Sequence, residues 1–342
     1  MKKNFLFTAI ILLAGMLQNT FSQQRYLDEV FTGVNPSYNI EYGQNFTVLY
    51  DPTAPVLQDL VMDVYEPYGD TLQARPLVVY IHTGQFLPLL LNTTPSGDKA
   101  DSATVEMCRQ FAKRGYVACS MDYRTGWSPG GSTQDIRTGT ILMAVYRAIQ
   151  DAKACVRYFR MDASVQGNTF KIDTNRIILC GQGSGGYVAL AYNSLDKVSE
   201  TQLLKFIAAE TNSTYGFVAG QSYVDQSLWG DFDGFGGAAG MNNENWPGYS
   251  NKVKMVVNMG GAIGDSTWIE AGDAPIVAFH PVNDPFAPYK TGPVIVPTTG
   301  QFVIEVSGSY DVIRICNDPS RGNNNAVFVI PYNDPYTTRA NS

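Results

Sequence analysis

Short apolar runs alternate with longer helical patterns through most of this chain. Seven runs have the length of a strand and consist largely of Val, Ile, Leu and Met, which is typical of strands buried on both faces. Strands that alternate with helices favour a mostly parallel central sheet covered by helices on both faces, so the predicted class is α/β. The predicted strands are 60–65, 76–81, 117–121, 176–180, 253–259, 275–279 and 302–306, and the predicted helices are 102–114, 138–159 and 185–195.

The composition is that of a folded protein and argues against a nucleic-acid partner. The chain has 342 residues, of which 44% are hydrophobic and 16% are charged, which is enough apolar material for a sizeable core. The 24 Lys and Arg residues against 31 Asp and Glu residues give a net charge of −7, with no block of like charges. The sequence therefore lacks the cluster of basic residues that a phosphate-binding surface requires.

The first 22 residues have the three parts of a secretory signal peptide. Residues 1–4 carry two lysines, residues 5–17 are apolar, and Thr20-Phe21-Ser22 is a small-x-small cleavage site. The apolar run is shorter than the ~20 residues of a membrane-spanning helix, and no later run reaches that length. We therefore expect an exported protein, periplasmic, cell-surface or extracellular, with no transmembrane segment after signal cleavage. An uncleaved N-terminal anchor is the alternative.

After the signal peptide, the sequence divides into a lead-in and one domain. Residues 23–57 are polar and rich in turns, and the α/β pattern occupies residues 58–342. Within it, residues 221–252 are rich in Gly, Asn and aromatic side chains and interrupt the pattern. This insertion is either a surface loop or a lid over the carboxyl ends of the strands, where ligands bind in open α/β sheets. A solvated loop is favoured over a Ca²⁺ site at Asp231 and Asp233 because the EF-hand spacing is absent.

The five cysteines favour a structural role. Their number is odd and no pair has the C-x-x-C spacing, so a zinc site is not supported and no metal is expected. Three of them lie within apolar runs, where a thiol behaves as a small hydrophobic group. Core cysteines are the preferred interpretation, although export would permit a disulfide. The five positions are Cys108, Cys119, Cys155, Cys180 and Cys316.

Three segments join a buried strand to a turn that carries chemistry. Strand 176–180 runs into Gly-Gln-Gly-Ser-Gly-Gly-Tyr at 181–187 and then a helix, which is the context of a nucleophile elbow. Strand 76–81 runs into His-Thr-Gly-Gln-Phe at 82–86, and strand 275–279 runs into His280 and an Asn-Asp-Pro turn that contains Asp284. Together they resemble the α/β-hydrolase family, in particular its secreted carboxylesterase- and lipase-like branch, over about residues 58–316.

The resemblance implies an α/β-hydrolase fold with altered catalytic residues. The Gly-x-Ser-x-Gly of the family falls on 181–185, which places Gly183, with no side chain, in the position of the nucleophile. Ser184 follows by one residue, and its N–H corresponds to an oxyanion-hole donor. A second frame, 182–186, makes Ser184 the nucleophile. The 82–86 segment corresponds to the oxyanion loop, with His82 in a structural role, Thr83 in place of a glycine, and Gly84 and Gln85 following.

The remaining triad members are incomplete. The resemblance assigns Asp284 as the acid and implies a histidine downstream of it, yet no histidine follows His280. His280 itself is four residues before Asp284. Acyl transfer by a serine needs an imidazole within hydrogen-bond distance of the hydroxyl.

These departures favour a noncatalytic protein that binds a ligand or partner in the old cleft. The expected ligand is a small-molecule ester, a lipid or a glycan, and no cofactor is expected. The first alternative is an active secreted carboxylic-ester hydrolase that uses Ser184, Asp284 and either His280 or a histidine outside this chain. The second is a carbohydrate-binding or cell-surface interaction module built on the aromatic insertion at 221–252.

Overall fold

A computed structural model describes residues 24–49, 54–88, 91–92, 94–329, 334 and 337–338. The predicted signal peptide at 1–22 lies outside the described residues. The strands are β1 (Val34–Thr47), β2 (Val56–Pro67), β3 (Arg75–Ile81), β4 (Val117–Met121), β5 (Ile172–Gln182), β6 (Met255–Met259), β7 (Ala262–Ile263), β8 (Ile276–Phe279), β9 (Gly292–Ile295) and β10 (Phe302–Gly308). The α-helices are α1 (Ser102–Lys113), α2 (Gln134–Val165), α3 (Ser184–Ser194), α4 (Gln226–Trp229) and α5 (Ser309–Cys316).

Seven strands form the central sheet in the order β1-β2-β4-β3-β5-β6-β8. The pairs β1–β2 and β2–β4 are antiparallel, and the four pairs from β4 to β8 are parallel. Strands β7, β10 and β9 form a separate three-stranded sheet. The predicted α/β-hydrolase fold with a mostly parallel central sheet is confirmed.

Helices cover both faces of this sheet. Leu77, Val79 and Ile81 of β3 belong to the main core cluster, which contains the apolar side chains of α2 and α3. Val78 and Tyr80 belong to a second cluster with side chains of α1. Because successive strand residues point to opposite faces, the two clusters lie on opposite sides of β3. All seven residues of β3 are buried, which explains its uninterrupted apolar sequence.

The segment assigned to a lead-in contributes the edge strand of the sheet. Residues 34–47 form β1, which pairs with β2 from Val34–Pro67 to Thr47–Val56. Most β1 side chains are exposed or half-buried, and Tyr42 and Asn45 are among the few that are buried. An edge strand with so few buried positions lacks the apolar pattern by which the other strands were predicted. The sheet therefore begins before residue 58.

Helix α2 has 32 residues and extends beyond the predicted 138–159 at both ends. Thr133 accepts a hydrogen bond from the Ile136 N–H at 3.3 Å and caps its first turn. The helix buries polar side chains together with apolar ones. Arg124 forms a fully buried ion pair with Asp151, at 2.7 Å. Buried polar positions interrupt the apolar periodicity, which is why the sequence underestimated the length of this helix.

The insertion at 221–252 packs against α2 and β1, and its role as a lid stays a prediction. Gln150 donates to the carbonyls of Trp229 and Asp231, both at 2.8 Å, and Arg157 donates to the Asn245 carbonyl at 2.9 Å. Asn245 also bonds to the backbone of Gln44 in β1. The Gly-rich loop thus supplies acceptors to buried donors of α2. None of its residues lines the cleft described below.

Burial decides the expectation for the cysteines and describes part of the aromatic insertion. The five cysteines are free and buried, so the core interpretation is confirmed. Trp229 and Phe232 are also buried and therefore offer no open surface on which a sugar could stack. Within the described residues, no helix combines the length and apolar character needed to cross a membrane.

Candidate functional site

A sharp turn joins β5 to α3 at the carboxyl edge of the central sheet. Gly183 forms its tip with φ 54° and ψ −117°, and its N–H donates to the Met259 carbonyl at 2.8 Å. Ser184 is the first residue of the helix. This conformation is disfavoured for residues with a Cβ, so glycine is suited to it. The predicted position of Gly183, with positive φ at the tip of the turn, is confirmed.

The glycine after Ser184 permits a close approach between helix and sheet. A Cβ on Gly185 would overlap the Ile81 carbonyl at the end of β3. The first turn of α3 therefore rests directly on the backbone of the neighbouring strand. This contact places residues 82–86 beside the elbow.

Thr83 fills the space next to the tip of the turn. A Cβ on Gly183 would overlap the Thr83 hydroxyl and lie 3.0 Å from the Thr83 Cβ. The side chain that replaces a glycine in the oxyanion loop therefore occupies the volume left by the missing side chain at 183. The sequence identified both substitutions, but their steric relationship is visible only in the structure.

The loop after β3 exposes backbone N–H groups near the elbow. Gly84, Gln85 and Phe86 have φ values of 134°, 58° and 56°. Within the described part of the chain, the N–H groups of Gly84 and Gln85 donate to no protein acceptor. The Ser184 N–H, in the first turn of α3, also has no acceptor within its own helix. Such N–H groups can hold the oxygen of a carbonyl or an oxyanion.

His82 is buried behind this loop. Its Nδ1 donates to the Thr83 carbonyl, and its Nε2 is 3.5 Å from Oδ1 of Asp122. Its ring stacks on Tyr123 with centroids 4.5 Å apart. These contacts fix the loop from the side opposite the cleft, and the predicted structural role of His82 agrees with them.

The Ser184 hydroxyl is bonded to the protein interior. Its Oγ is 3.1 Å from the Tyr123 hydroxyl, which is 3.1 Å from the His82 carbonyl. A carbonyl only accepts, so Tyr123 donates to His82 and Ser184 donates to Tyr123. Burial raises the pKa of the Tyr123 phenol, which keeps it protonated. The Ser184 proton is therefore directed to Tyr123.

His280 has a hydrogen-bond partner on each ring nitrogen. Nε2 is 3.2 Å from the Ala287 carbonyl and therefore carries the proton that it donates. Nδ1 is 2.7 Å from Oγ of Ser309, at the start of α5. In the neutral ring, Nδ1 then accepts the Ser309 proton. No lone pair of this imidazole is left for a second hydroxyl.

Asp284 lies in the turn after β8 and lines the same cleft as Gly183. This position was predicted from the sequence and is confirmed. Oδ1 accepts from the N–H groups of Phe286, at 2.8 Å, and Ala287, at 3.0 Å. Oδ2 is 3.7 Å from Nε2 of His280. The structure thus brings the acid and the imidazole close together, but the imidazole N–H donates to Ala287 and not to the carboxylate.

These groups border a cleft of about 740 Å³. Its walls are the elbow, residues 83–86 and residues 279–287, with β9 at one end. Among the described residues that line it, Asp284 is the one carboxylate, and neither lysine nor arginine is present. The described residues also contain no cluster of His, Cys, Asp and Glu that could hold a metal ion.

A smaller apolar cavity of about 60 Å³ adjoins the cleft. Ile141, Tyr187 and Val294 line both. Tyr187 lies in the first turn of α3, and its hydroxyl is buried without a hydrogen-bond partner in the part of the chain that the structure describes. No sequence pattern singled out Tyr123, Tyr187 or Ser309 as parts of the site. Tyr187 does belong to the 181–187 segment that carries the resemblance, whereas Ser309 belongs to no such segment.

The sequence matches the BD-FAE family over residues 62–296, a span that includes the elbow, the 82–86 loop and Asp284. The chain belongs to the BD-FAE family. This is an esterase-like α/β-hydrolase family. No curated protein matches the sequence.

Structures of esterase 2 from the Planctomycetes species Thermogutta terrifontis are similar to this BD-FAE member. The native form has 17% identity and a TM-score of 0.41, covering 78% of this chain and 76% of the esterase. The propionate-bound form has 16% identity and a TM-score of 0.40, covering 75% of each chain. The form phosphorylated by paraoxon has 17% identity and a TM-score of 0.41, covering 78% of this chain and 77% of the esterase. Likeness at this level says nothing about the site of this chain.

Proposed function

We propose that this BD-FAE member is an exported protein that binds a small organic ligand in its cleft and does not hydrolyse esters. The observation that carries the proposal is the pairing of Gly183 with Thr83. Gly183 has no side chain to attack a carbonyl, and the Thr83 side chain fills the space beside it. The family's covalent step needs a nucleophile at this turn.

The neighbouring hydroxyl supports the same proposal. Ser184 donates its proton to Tyr123 and is buried at the first residue of α3. Attack by this oxygen would require the bond to Tyr123 to break and the side chain to turn toward the cleft. A serine at its ordinary pKa is also a weak nucleophile unless a base removes its proton.

The arrangement of His280 adds a second obstacle. Its Nδ1 accepts from Ser309 and its Nε2 donates to Ala287, so the ring is held as a structural imidazole. General-base assistance contributes on the order of 10²–10⁴-fold to such reactions. A protein without it would hydrolyse esters near the uncatalysed rate.

Two features of the cleft, its free N–H groups and its volume, support the binding of a ligand. The N–H groups of Gly84, Gln85 and Ser184 can hold a carbonyl oxygen, because none of them has a protein acceptor among the described residues. The cleft volume of about 740 Å³ is in the range of small-molecule sites. An ester or another neutral carbonyl compound is therefore a ligand that the site can hold without consuming.

The test is to measure binding and turnover of one compound on the same sample. Residues 23–342 are titrated with p-nitrophenyl butyrate, binding is followed by ligand-observed NMR, and released p-nitrophenol is followed by absorbance. We expect saturable binding with a hydrolysis rate equal to that of a Gly185→Val control, whose side chain would overlap Ile81 and disrupt the elbow. Turnover clearly above this control contradicts the proposal, and so does the absence of binding.

The second candidate function is an active carboxylic-ester hydrolase using Ser184, His280 and Asp284. The observation in its favour is the 3.7 Å separation of Asp284 Oδ2 and His280 Nε2, which is close to an acid–imidazole pair. This function requires two hydrogen bonds to break: the bond between the His280 imidazole and Ser309, and the bond between Ser184 and Tyr123. Loss of measurable turnover in Ser184→Ala and in His280→Ala would establish this function in place of the first.

Export is part of the proposal and depends on the signal peptide predicted at 1–22. The test is to express the full chain in a bacterium with a periplasm and to determine the mass of the mature protein. A mature chain beginning at Gln23 outside the cytoplasm supports export. A full-length chain that stays with the membrane would contradict signal cleavage and would show that residues 1–22 act as an N-terminal anchor.

A further inference from the structure

One aromatic residue separates the cleft from the apolar cavity beside it. Tyr187 lines both spaces and lies three residues after Ser184, in the first turn of α3. Its hydroxyl is buried and has no hydrogen-bond partner in the described part of the chain. Buried hydroxyl groups are usually paired, because leaving one unpaired costs free energy on folding. A polar atom of a bound molecule would satisfy it.

Asp284 presents a free oxygen to the same region. Its Oδ1 accepts two backbone N–H groups, whereas Oδ2 accepts no hydrogen bond within the described residues. Tyr187 and Asp284 line the same cleft, and burial together with the charge of Asp284 raises the pKa of the Tyr187 phenol. They form no hydrogen bond with each other. Among the described residues, one cleft is therefore lined by a residue with an unpaired donor and by a residue with an unpaired acceptor.

The surroundings of this pair are apolar. The small cavity of about 60 Å³ behind Tyr187 is lined by side chains such as Ile141, Phe206 and Trp268. On the outer side, Phe279 and Phe286 are 63% and 55% exposed at the rim of the cleft. Large exposed aromatic side chains beside a cleft are typical of a binding site for an apolar molecule.

We propose that the cleft selects molecules with an apolar body and one hydroxyl or amino group, which bonds to both Tyr187 Oη and Asp284 Oδ2. This inference deepens the proposed function and rests on it. A hydroxyl accepts from Tyr187 and donates to Asp284, and an ammonium group donates to the oxygens of both residues. A carboxylate with the same carbon skeleton places a second negative charge beside Asp284. Among the described lining residues, no lysine or arginine is present to neutralise it. The carboxylate compound is therefore excluded from the position beside Tyr187 and Asp284.

The experiment compares three compounds that differ in the polar group alone: hexan-1-ol, hexylamine and hexanoate. Their dissociation constants for residues 23–342 are measured at pH 7.5 by ligand-observed NMR competition. We expect the alcohol and the amine to bind at least tenfold more tightly than hexanoate. We also expect Tyr187→Phe to weaken hexan-1-ol binding about 5- to 10-fold, the range that one hydrogen bond contributes.

Tyr192→Phe is the matched control on the same helix. The Tyr192 hydroxyl donates to the Asn251 carbonyl and lies outside the lining of the cleft, so its loss lowers the melting temperature and leaves binding unchanged. Tyr187→Phe removes an unpaired hydroxyl, so its melting temperature stays equal or rises.

Three outcomes overturn the inference: hexanoate binding as tightly as the alcohol, Tyr187→Phe leaving alcohol binding unchanged, or none of the three compounds binding. The first two leave ligand binding by the cleft intact. Failure of the proposed function is detected separately, as turnover of p-nitrophenyl butyrate.

Discussion

The hydroxyl of Thr83 fills the space that a side chain on Gly183 would occupy. The two residues come from different loops, one after β3 and one after β5. A Cβ at 183 would also lie 3.0 Å from the Thr83 Cβ, which is tighter than ordinary packing, so Thr83 would have to shift. A serine at 183 and a threonine at 83 are therefore sterically incompatible in this backbone, whereas glycine at either position removes the conflict.

The first prediction concerns this incompatibility. Gly183→Ser should lower the free energy of unfolding by about 1–3 kcal/mol, the usual effect of overpacking. The double variant Thr83→Gly, Gly183→Ser should recover most of it. Urea denaturation of the single and double variants measures both effects.

Gly69→Ser is the control for backbone strain, because Gly69 has φ +76° with no atom within 4 Å of its Cβ position. It should be less destabilising than Gly183→Ser. An equal loss in the two variants would show that positive φ, and not Thr83, is responsible. Ester turnover should stay at background even in the double variant, since both His280 nitrogens remain bonded.

The second prediction concerns Ser184 as a structural hydroxyl. Ser184→Ala should reduce the free energy of unfolding by about 0.5–1.5 kcal/mol through loss of the bond to Tyr123. Tyr123→Phe should cost more, because it also loses the bond to the His82 carbonyl. Thermal or chemical denaturation of both single variants and the double variant forms a cycle. A coupling energy of zero between the two residues would refute the hydrogen bond from Ser184 to Tyr123.

The third prediction separates the insertion from the cleft. Asn245 accepts from the Gln44 N–H at 3.0 Å and donates to the Gln44 carbonyl at 2.9 Å, which ties the insertion to β1. Asn245→Ala should lower the free energy of unfolding by about 1–3 kcal/mol, because it leaves the part-buried Gln44 N–H unpaired. Asn243→Ala, at an exposed neighbour, should have a smaller effect. Neither variant should change the affinity of the cleft for its ligand. A tenfold change in that affinity would support the lid hypothesis.

The fourth prediction is a pH dependence of stability. Burial raises the pKa of Asp273 to about 6, above the 3.8 of an unperturbed aspartate. Between these values the folded state holds a proton that the unfolded state has released, so the free energy of unfolding falls as pH rises toward 6. Below both values, and above pH 6, this group adds no further slope.

Asp273→Asn should remove this part of the pH dependence. An amide oxygen can still accept the bonds that Ser194 and the Glu270 N–H donate to Asp273. Melting temperatures of the native chain and of the variant, measured from pH 4 to pH 8, should therefore diverge as pH rises, with the variant relatively more stable above pH 6. Parallel curves would contradict the raised pKa.

The parallel strands could be predicted from the sequence because burial on both faces leaves a continuous apolar run, as in β3 and β4. Strand β1 could not, since its edge position leaves most side chains exposed. The extent of α2 was underestimated because its end turns, outside the predicted 138–159, bury the polar residues Arg137 and Asp162. Periodicity detects apolar faces and does not detect buried polar ones.

The parts of the site that depend on local backbone geometry could be predicted from the sequence. The elbow at Gly183 follows from a strand, a glycine-dense turn and a helix in succession. The contact between Thr83 and Gly183 and the bond between Ser309 and His280 join residues that are far apart in the chain, and no local pattern marks them. The lid interpretation of 221–252 stays a prediction: the Gly-rich backbone of this segment supplies acceptors to α2, and Ser222, Tyr223 and Val224 line the small cavity beside the cleft.

Reaction with a fluorophosphonate probe, read by intact mass and peptide mapping, tests the noncatalytic account most directly. Residues 23–342 and a known serine esterase are incubated with the probe under the same conditions. The account predicts complete labelling of the esterase and no adduct on this chain, because Gly183 offers no nucleophile and the Ser184 proton is donated to Tyr123. A stoichiometric adduct on Ser184, abolished in His280→Ala, would contradict it and identify an active ester hydrolase.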